Sequence, residues 1–540
     1  MSIDGFITCL TLLVGLYTIA SPVAKLRFRL LGWKLWAPSA VFLGAITYFL
    51  LFDRVAPNCN SSVCSGFEIK PSSRLSNEIA FGLTMLWLSF LGALYSSRKI
   101  SIRNYRLFRD LVERLISDRK YGEVVELIEP HFDAIALRAN RGHWMQRTID
   151  AVRHHGKRSP ELEYLFAQHE SSVTSAKLRG RVWEAIKGAM LSCAQPFITA
   201  FPDEDIKQKN ARQIIRRLMS NDEFVRFVAQ ERTRFALRIL ESDLSDSYEF
   251  SDRAFTFFIS GIDAPLRQEI WENDSLGLCF YDIDSDNQII AYLFTDSKKA
   301  EEREVYRPIG EFAFDSLEDE KYLRLLNSKP RDFDKMKRSD DLFLVIQFFD
   351  IMIRSSARDG IEWHMWLYYM NILTRRLVEI IDTDHPDYDE NSEFPNFAHF
   401  LIYKIVSNLR DWIRLFECLQ ADSPALIIDS PAATHENGHI IKSAILSVGI
   451  CIRELLSSDK ISDRFIAYVL EIVLRARRDA QQHDNGALVA EALTNSIVEG
   501  GPMGFGDMQG HRLLVCFHEM DHVAQYEHRD LGQILEERYA

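Results

Sequence analysis

Residues 35–52 read LWAPSAVFLGAITYFLLF, eighteen positions without a charged side chain, bounded by Lys34 and Asp53. At ~1.5 Å of rise per residue, a helix of this length spans most of a hydrocarbon core about 30 Å thick. Two more charge-free stretches flank it, GFITCLTLLVGLYTIASPVA at 5–24 and IAFGLTMLWLSFLGALY at 79–95. Lipid offers the backbone no hydrogen-bond partner, so each stretch is expected to close its own bonds as a helix. The fold class that follows is mainly α: three N-terminal transmembrane helices, then a large helical cytoplasmic region containing a small β-hairpin.

The orientation is read from the basic residues. Lys25, Arg27, Arg29 and Lys34 fill the first connection, and Arg98, Lys99 and Arg103 follow the third span, so both places are expected in the cytoplasm. The N-terminus and the loop 53–78 then lie outside, with everything after residue 97 inside a bacterial-type inner membrane. That loop holds Cys59 and Cys64, which would be free to pair as a disulfide in an oxidising compartment. No basic residue precedes the first stretch and residues 21–24 make a poor cleavage site, so it is read as retained and not as a leader. No ionisable residue lies inside the spans, which favours anchoring over transport. Small residues four apart, Ala40 with Gly44 and Ser89 with Ala93, would allow close packing within or between chains.

The rest of the chain reads as globular. Of 540 residues, 47% are apolar and 26% charged, ordinary values for folded protein, and the length calls for several folding units. Residues 1–100 carry 9 Lys and Arg against 4 Asp and Glu, and the remainder 55 against 73. An acidic soluble region without a dense basic stripe argues against extended nucleic-acid binding. The expected division is a membrane anchor at 1–97, a first helical domain at 98–245, a mixed segment at 246–340 and a C-terminal helical domain at 341–540.

Apolar residues recur at three and four after residue 101, as in Leu107, Leu111 and Leu115, with Asn221 or Asp222 placed to cap a later helix. The runs 278–283 and 289–294, joined by turn-forming residues, read as the hairpin. Long helices are expected at 342–356, 361–381, 397–419, 431–457, 463–478 and 511–537, with the acidic stretch 382–393 as a solvated connection.

Two motifs point toward chemistry. His518-Glu519-Met520-Asp521-His522 matches the HExxH pattern of zinc metallopeptidases, in which two His one helical turn apart bind zinc and the Glu activates water. His528 falls where the metzincin family has its third ligand, but Gln525 stands where that family has Gly. A second match, His435-Glu436-Asn437-Gly438-His439, shows how readily the pattern arises in an unrepeated chain. Arg478-Asp479-Ala480-Gln481-Gln482-His483 resembles the R-polar-x-x-x-H motif of HEPN ribonucleases, which implies a helical bundle in which Arg478 and His483 act on a phosphodiester. Gly500-Gly501-Pro502-Met503-Gly504-Phe505-Gly506 lacks the Lys of a phosphate-binding loop and reads as a hinge.

The reading adopted is a membrane-anchored sensor, scaffold or effector that works by protein binding or self-association and needs no cofactor. Its general design is similar to that of membrane effectors of bacterial phage-defence systems. The alternatives are a zinc hydrolase using His518, Glu519 and His522, and a HEPN-like ribonuclease using Arg478 and His483.

Overall fold

The computed structural model describes residues 33–52, 73–96, 105–140 and 202–540, with a few positions before residue 33. Residues 243, 245–246, 274, 277–279, 282, 285, 330–332, 362–364, 420–438 and 485 are excepted. The first expected span lies largely outside the described residues, and so do Cys59, Cys64 and residues 141–201. The chain is mainly helical and divides into two compact units, residues 1–224 with 242–245, and residues 225–241 with 246–540.

In the first unit, α1 (Trp33–Phe52) packs against α2 (Ser73–Ser96). Ala80, Leu83, Thr84 and Trp87 recur at helical spacing along the contact face of α2, and the Trp87 indole donates to the Ser39 hydroxyl of α1 at 3.2 Å. Ile46 is fully buried in the same seam. Ala40, Gly44 and Ser89 instead lie on exposed faces, and nothing approaches within 4 Å of a Cβ built on Gly44. The small residues in this seam are Ser39 and Ala80. Their outward faces stay apolar, exposing Trp36, Val41, Phe81, Met85 and Leu86. Side chains are described only at 36–50 of α1 and 78–91 of α2, and among the described residues no helix is long and apolar enough to cross a membrane.

The same unit holds α3 (Tyr105–Ser117), α4 (Tyr121–Ile128), α5 (Phe132–Asn140) and α6 (Pro202–Met219). Phe108, Val112 and Leu115 bury one face of α3, and α6 packs on both α3 and α5. Arg212 donates to the Ala139 carbonyl at 2.8 Å, capping a C-terminal acceptor of α5 that has no partner within its own helix. At the start of α7 (Asp222–Glu231), the Asn221 side chain accepts from the Phe224 amide at 2.7 Å, so of the two candidate caps it is Asn221 that serves.

The second unit takes in α7 from Val225 onward and continues with α8 (Thr233–Glu241), α9 (Ser247–Ile259) and α10 (Pro265–Glu272). The expected hairpin is corrected here. The only strand pairing among the described residues is two residues long, β1 (Ser275–Leu276) antiparallel to β2 (Phe280–Tyr281), while residues 289–294 lie within a helix, α11 (Gln288–Thr295). The cause is tertiary: the buried Glu269 carboxylate of α10 accepts from the Ile289 amide at 2.9 Å and the Ile290 amide at 2.8 Å. A carboxylate at that position satisfies orphan donors and favours the positive end of the new helix. Ile289, Ile290 and Leu293 then fall on its buried face.

Short helices follow, α12 (Ser297–Glu302), α13 (Tyr306–Ser316), α14 (Glu320–Asn327) and α15 (Phe333–Ser339). They surround α16 (Asp341–Arg358), which is buried along nearly its whole length. Asp340 caps α16, accepting from the Phe343 amide at 2.7 Å and the Tyr322 hydroxyl at 2.7 Å, and burial pushes its carboxyl up to about 7. The core continues through α17 (Trp366–Ile380), α18 (Phe397–Arg414), α19 (Ile440–Leu456), α20 (Asp463–Gln482) and α21 (Ala487–Glu499). α18 packs on α19 and α20, and α19 on α17 and α21. Residues 431–438 of the expected helix 431–457 lie outside the described residues.

The last expected helix, 511–537, is three: α22 (Asp507–Glu519), α23 (His522–Glu527) and α24 (Arg529–Tyr539). Met520 is extended, and Asp521 turns back to accept from the Val523 amide at 2.9 Å, starting a new helix. Gln525 donates to the carbonyls of His518 at 2.9 Å and Met520 at 2.7 Å, satisfying the interrupted end.

Candidate functional site

That break removes the geometry on which zinc binding at HExxH depends. His518 and Glu519 end α22 while His522 opens α23, so the two His are not one turn apart on a single helix. His518 Nε2 lies 3.9 Å from Glu536 on the surface. His528 is buried and turned inward, 3.3 Å from Arg477, which also pairs with Asp530 and donates to Thr494 at 2.8 Å. Burial, reinforced by Arg477, lowers the His528 pKa. Among the described residues no group of three or more His, Cys, Asp or Glu side chains converges as a metal site would. Of the second match only His439 lies within the described residues.

The two HEPN-like residues each make contacts of their own. Arg478 reaches Glu527 at 2.7 Å, whereas His483 caps the end of α20 and stacks edge-on against Phe416 at 5.3 Å.

The site that does assemble uses residues no motif singled out. Tyr368, Asn371, Ile372, Arg375, Arg376 and Glu379 follow one face of α17 at intervals of three and four. Ile450 and Arg453 of α19 form the opposite wall, and Pro502 and Met503 the rim, around a cleft of about 540 Å³. The rim is held by glycine. Gly500 ends α21 with φ of +75°, and Gly501 and Gly504 also take positive φ, so the turn 501–503 folds back over α19. A Cβ on Gly449 of α19 would come 2.6 Å from the Gly501 amide nitrogen and 2.5 Å from the Ser496 hydroxyl oxygen. Only glycine at 449 lets the strap approach this closely.

Three guanidiniums share two carboxylates in the cleft. Arg453 donates Nη2 to Glu454 at 2.9 Å, and Arg375 reaches the same Glu454 oxygen at 3.4 Å. Arg376 pairs with Glu379 at 3.1 Å. Arg453 is only 8% exposed, yet its Nη1 is buried without a hydrogen-bond partner. Behind Asn371, burial pushes the Cys451 thiol up to about 12, so it stays protonated and unreactive near neutral pH. The lining has three cations against the one carboxylate of Glu379, an amide and apolar walls but no activated nucleophile, an arrangement suited to holding an anion.

A second polar centre is closed upon itself. Asp350 of α16 accepts from Trp412 at 2.6 Å and Arg354 at 3.0 Å, and Tyr281 donates to its other oxygen. Tyr281 accepts in turn from Gln347 at 3.0 Å, and Arg354 lies over the Tyr281 ring. Burial raises the Tyr281 pKa and lowers that of Lys404, which Asp350 and Asp411 partly offset. With its acceptors occupied, this centre clamps helices together.

The sequence carried one signal for the clamp, an Asp and an Arg four apart inside the apolar run 342–356. For the cleft there was none, because Arg375 and Arg453 are brought together by packing alone. Comparison with protein-family models, curated proteins and solved structures gives no match.

Proposed function

We propose that this chain is a membrane-anchored sensor or effector whose cytoplasmic helical region acts by binding, with the cleft between α17 and α19 as its recognition site. The observation that carries the anchoring half is the outer surface of α1 and α2. Trp36 is 73% exposed and Val41 73%, with Phe81, Met85 and Leu86 beside them, where water-facing helices place charge. A pair apolar inside and out suits lipid, and the charge-free stretches 35–52 and 79–95 support the same reading. Support for the binding half comes from the cleft, lined by three guanidiniums, one with an Nη1 that has no hydrogen-bond partner, while the HExxH residues are divided between two helices.

Three spans with the N-terminus and the loop 53–78 outside, and the mass of the chain in the cytoplasm, complete the proposal. Alkaline carbonate extraction of membranes carrying the full chain tests it. The protein is expected in the pellet, and release into the supernatant overturns the anchor.

A further inference from the structure

We infer that the cleft holds a small organic phosphate, its phosphate on Arg453, Arg375 and Arg376 and its flat apolar body along Tyr368 and Met503. This deepens the binding half of the proposed function and does not depend on the anchor.

The charge comes first. Buried polar groups are mostly paired, so each exception calls for an explanation. Arg453 lines the cleft, and its Nη1 is a buried donor without a hydrogen-bond partner, as are the Nε atoms of Arg267 and Arg307 elsewhere in the fold. An acceptor in the cleft completes it once the guanidinium turns outward. Arg375 is held by a single contact of 3.4 Å to a carboxylate it shares with Arg453, so it can turn to a ligand without stranding Glu454. Arg376 is the neighbour of Arg375 on the same wall, and three forked cations against two carboxylates leave positive charge unspent.

Guanidiniums, and no lysine, line the site. A planar fork matches the terminal oxygens of a phosphate bidentately, and a dianion with three such oxygens can engage more than one fork, which a carboxylate does less well. The walls determine the rest of the ligand. Tyr368 is half-exposed, set edge-on to Tyr369, and offers its ring to solvent on the same helix face as Arg375 and Arg376. Ile372, Ile450 and Pro502 continue an apolar surface from it, and the volume of about 540 Å³ admits a body of nucleotide size beside the phosphate.

The test is calorimetric titration of the full chain in detergent with phenyl phosphate, inorganic phosphate, phenol and benzoate. Phenyl phosphate is expected to bind saturably and at least tenfold more tightly than any of the other three. AMP, with a larger flat ring system, is expected to bind more tightly again, and Tyr368→Ala should remove that increment while sparing inorganic phosphate. Arg453→Met should weaken phenyl phosphate at least tenfold without lowering the melting temperature of the ligand-free protein. Arg375→Gln, at a half-exposed position, should weaken it several-fold with the fold intact. Equal binding by wild type and Arg453→Met, or no binding by wild type, overturns the assignment. Benzoate binding as tightly as phenyl phosphate overturns phosphate in favour of carboxylate. Either result leaves carbonate extraction unaltered, so failure of the ligand and failure of the anchor are read separately.

Discussion

Trp412 of α18 donates its indole N–H to the Asp350 carboxylate of α16 at 2.6 Å, joining two core helices through a buried charge. Arg354, 5% exposed, donates to the same Asp350 oxygen, so removing the carboxylate takes away its shorter ion pair and leaves Asp411 at 3.8 Å. Asp350→Ala is expected to lower unfolding free energy by about 3–5 kcal/mol. Trp412→Phe keeps a ring and leaves Asp350 its other donors, and should cost about 1–3 kcal/mol. Urea unfolding measures both, and a loss below about 1 kcal/mol for Asp350→Ala would refute the clamp.

Two buried groups give the second unit opposing pH dependences. His399, held by Asn396 and packed on Phe465 and Tyr388, has its imidazole pushed down to about 4 by burial. Between its usual value and 4 the unfolded chain takes up a proton that the folded chain refuses, so stability falls as pH drops. Asp340 is the reverse. With Tyr322, Asp341 and Arg267 around it and its pKa at about 7, the folded chain holds a proton the unfolded chain has lost, so stability falls as pH rises toward 7. Relative to wild type, His399→Gln should gain up to about 3 kcal/mol on going from pH 7 to 4, and Asp340→Asn should lose a similar amount. Chemical unfolding at both pH values checks the two signs, and parallel curves for wild type and variants would defeat the account.

Gly449→Ala tests the strap. The added methyl meets the Gly501 amide nitrogen and the Ser496 carbonyl oxygen, both at 2.6 Å, and backbone cannot swing aside as a side-chain tip can. A loss of about 1–3 kcal/mol is expected, with a displaced rim at Pro502 and Met503. Thermal melting reads the first effect and protease sensitivity near residue 503 the second. An unchanged melting temperature would show that the strap does not need this contact.

Topology reporters address the membrane arrangement. A fusion after Ala540 that works only in the cytoplasm should be active, and one inserted near Gly66 should be silent. Activity at the loop would reverse the orientation and remove the basis for pairing Cys59 with Cys64.

Substitutions at the sequence motifs should be mild. Glu519→Gln and His522→Ala alter exposed positions on either side of a helix break, and each is expected within about 0.5 kcal/mol of wild type. Stoichiometric zinc in the purified protein, lost on His518→Ala, would restore the hydrolase alternative.

Local pattern sufficed for most of the helices. Asp463 begins α20 as expected because Ser462 accepts from the Phe465 amide at 3.3 Å, and α16 matches its apolar run to within two residues at each end. These outcomes depend on neighbours three or four positions apart, which a sequence displays directly. The hairpin failed because Glu269, twenty residues away, supplies the acceptor that starts α11, and the HExxH helix failed because Asp521 forms a cap instead of continuing the turn. The cleft belongs wholly to tertiary structure. Arg375 and Arg453 are 78 positions apart, Gly449 and Gly501 admit the strap by lacking a Cβ, and the unpartnered N–H exists only where packing excludes water. Composition determined the helical class and the charge-free segments, since these sum short-range preferences along the chain. Which cations converge, and which N–H is left without an acceptor, was decided when the helices closed around them.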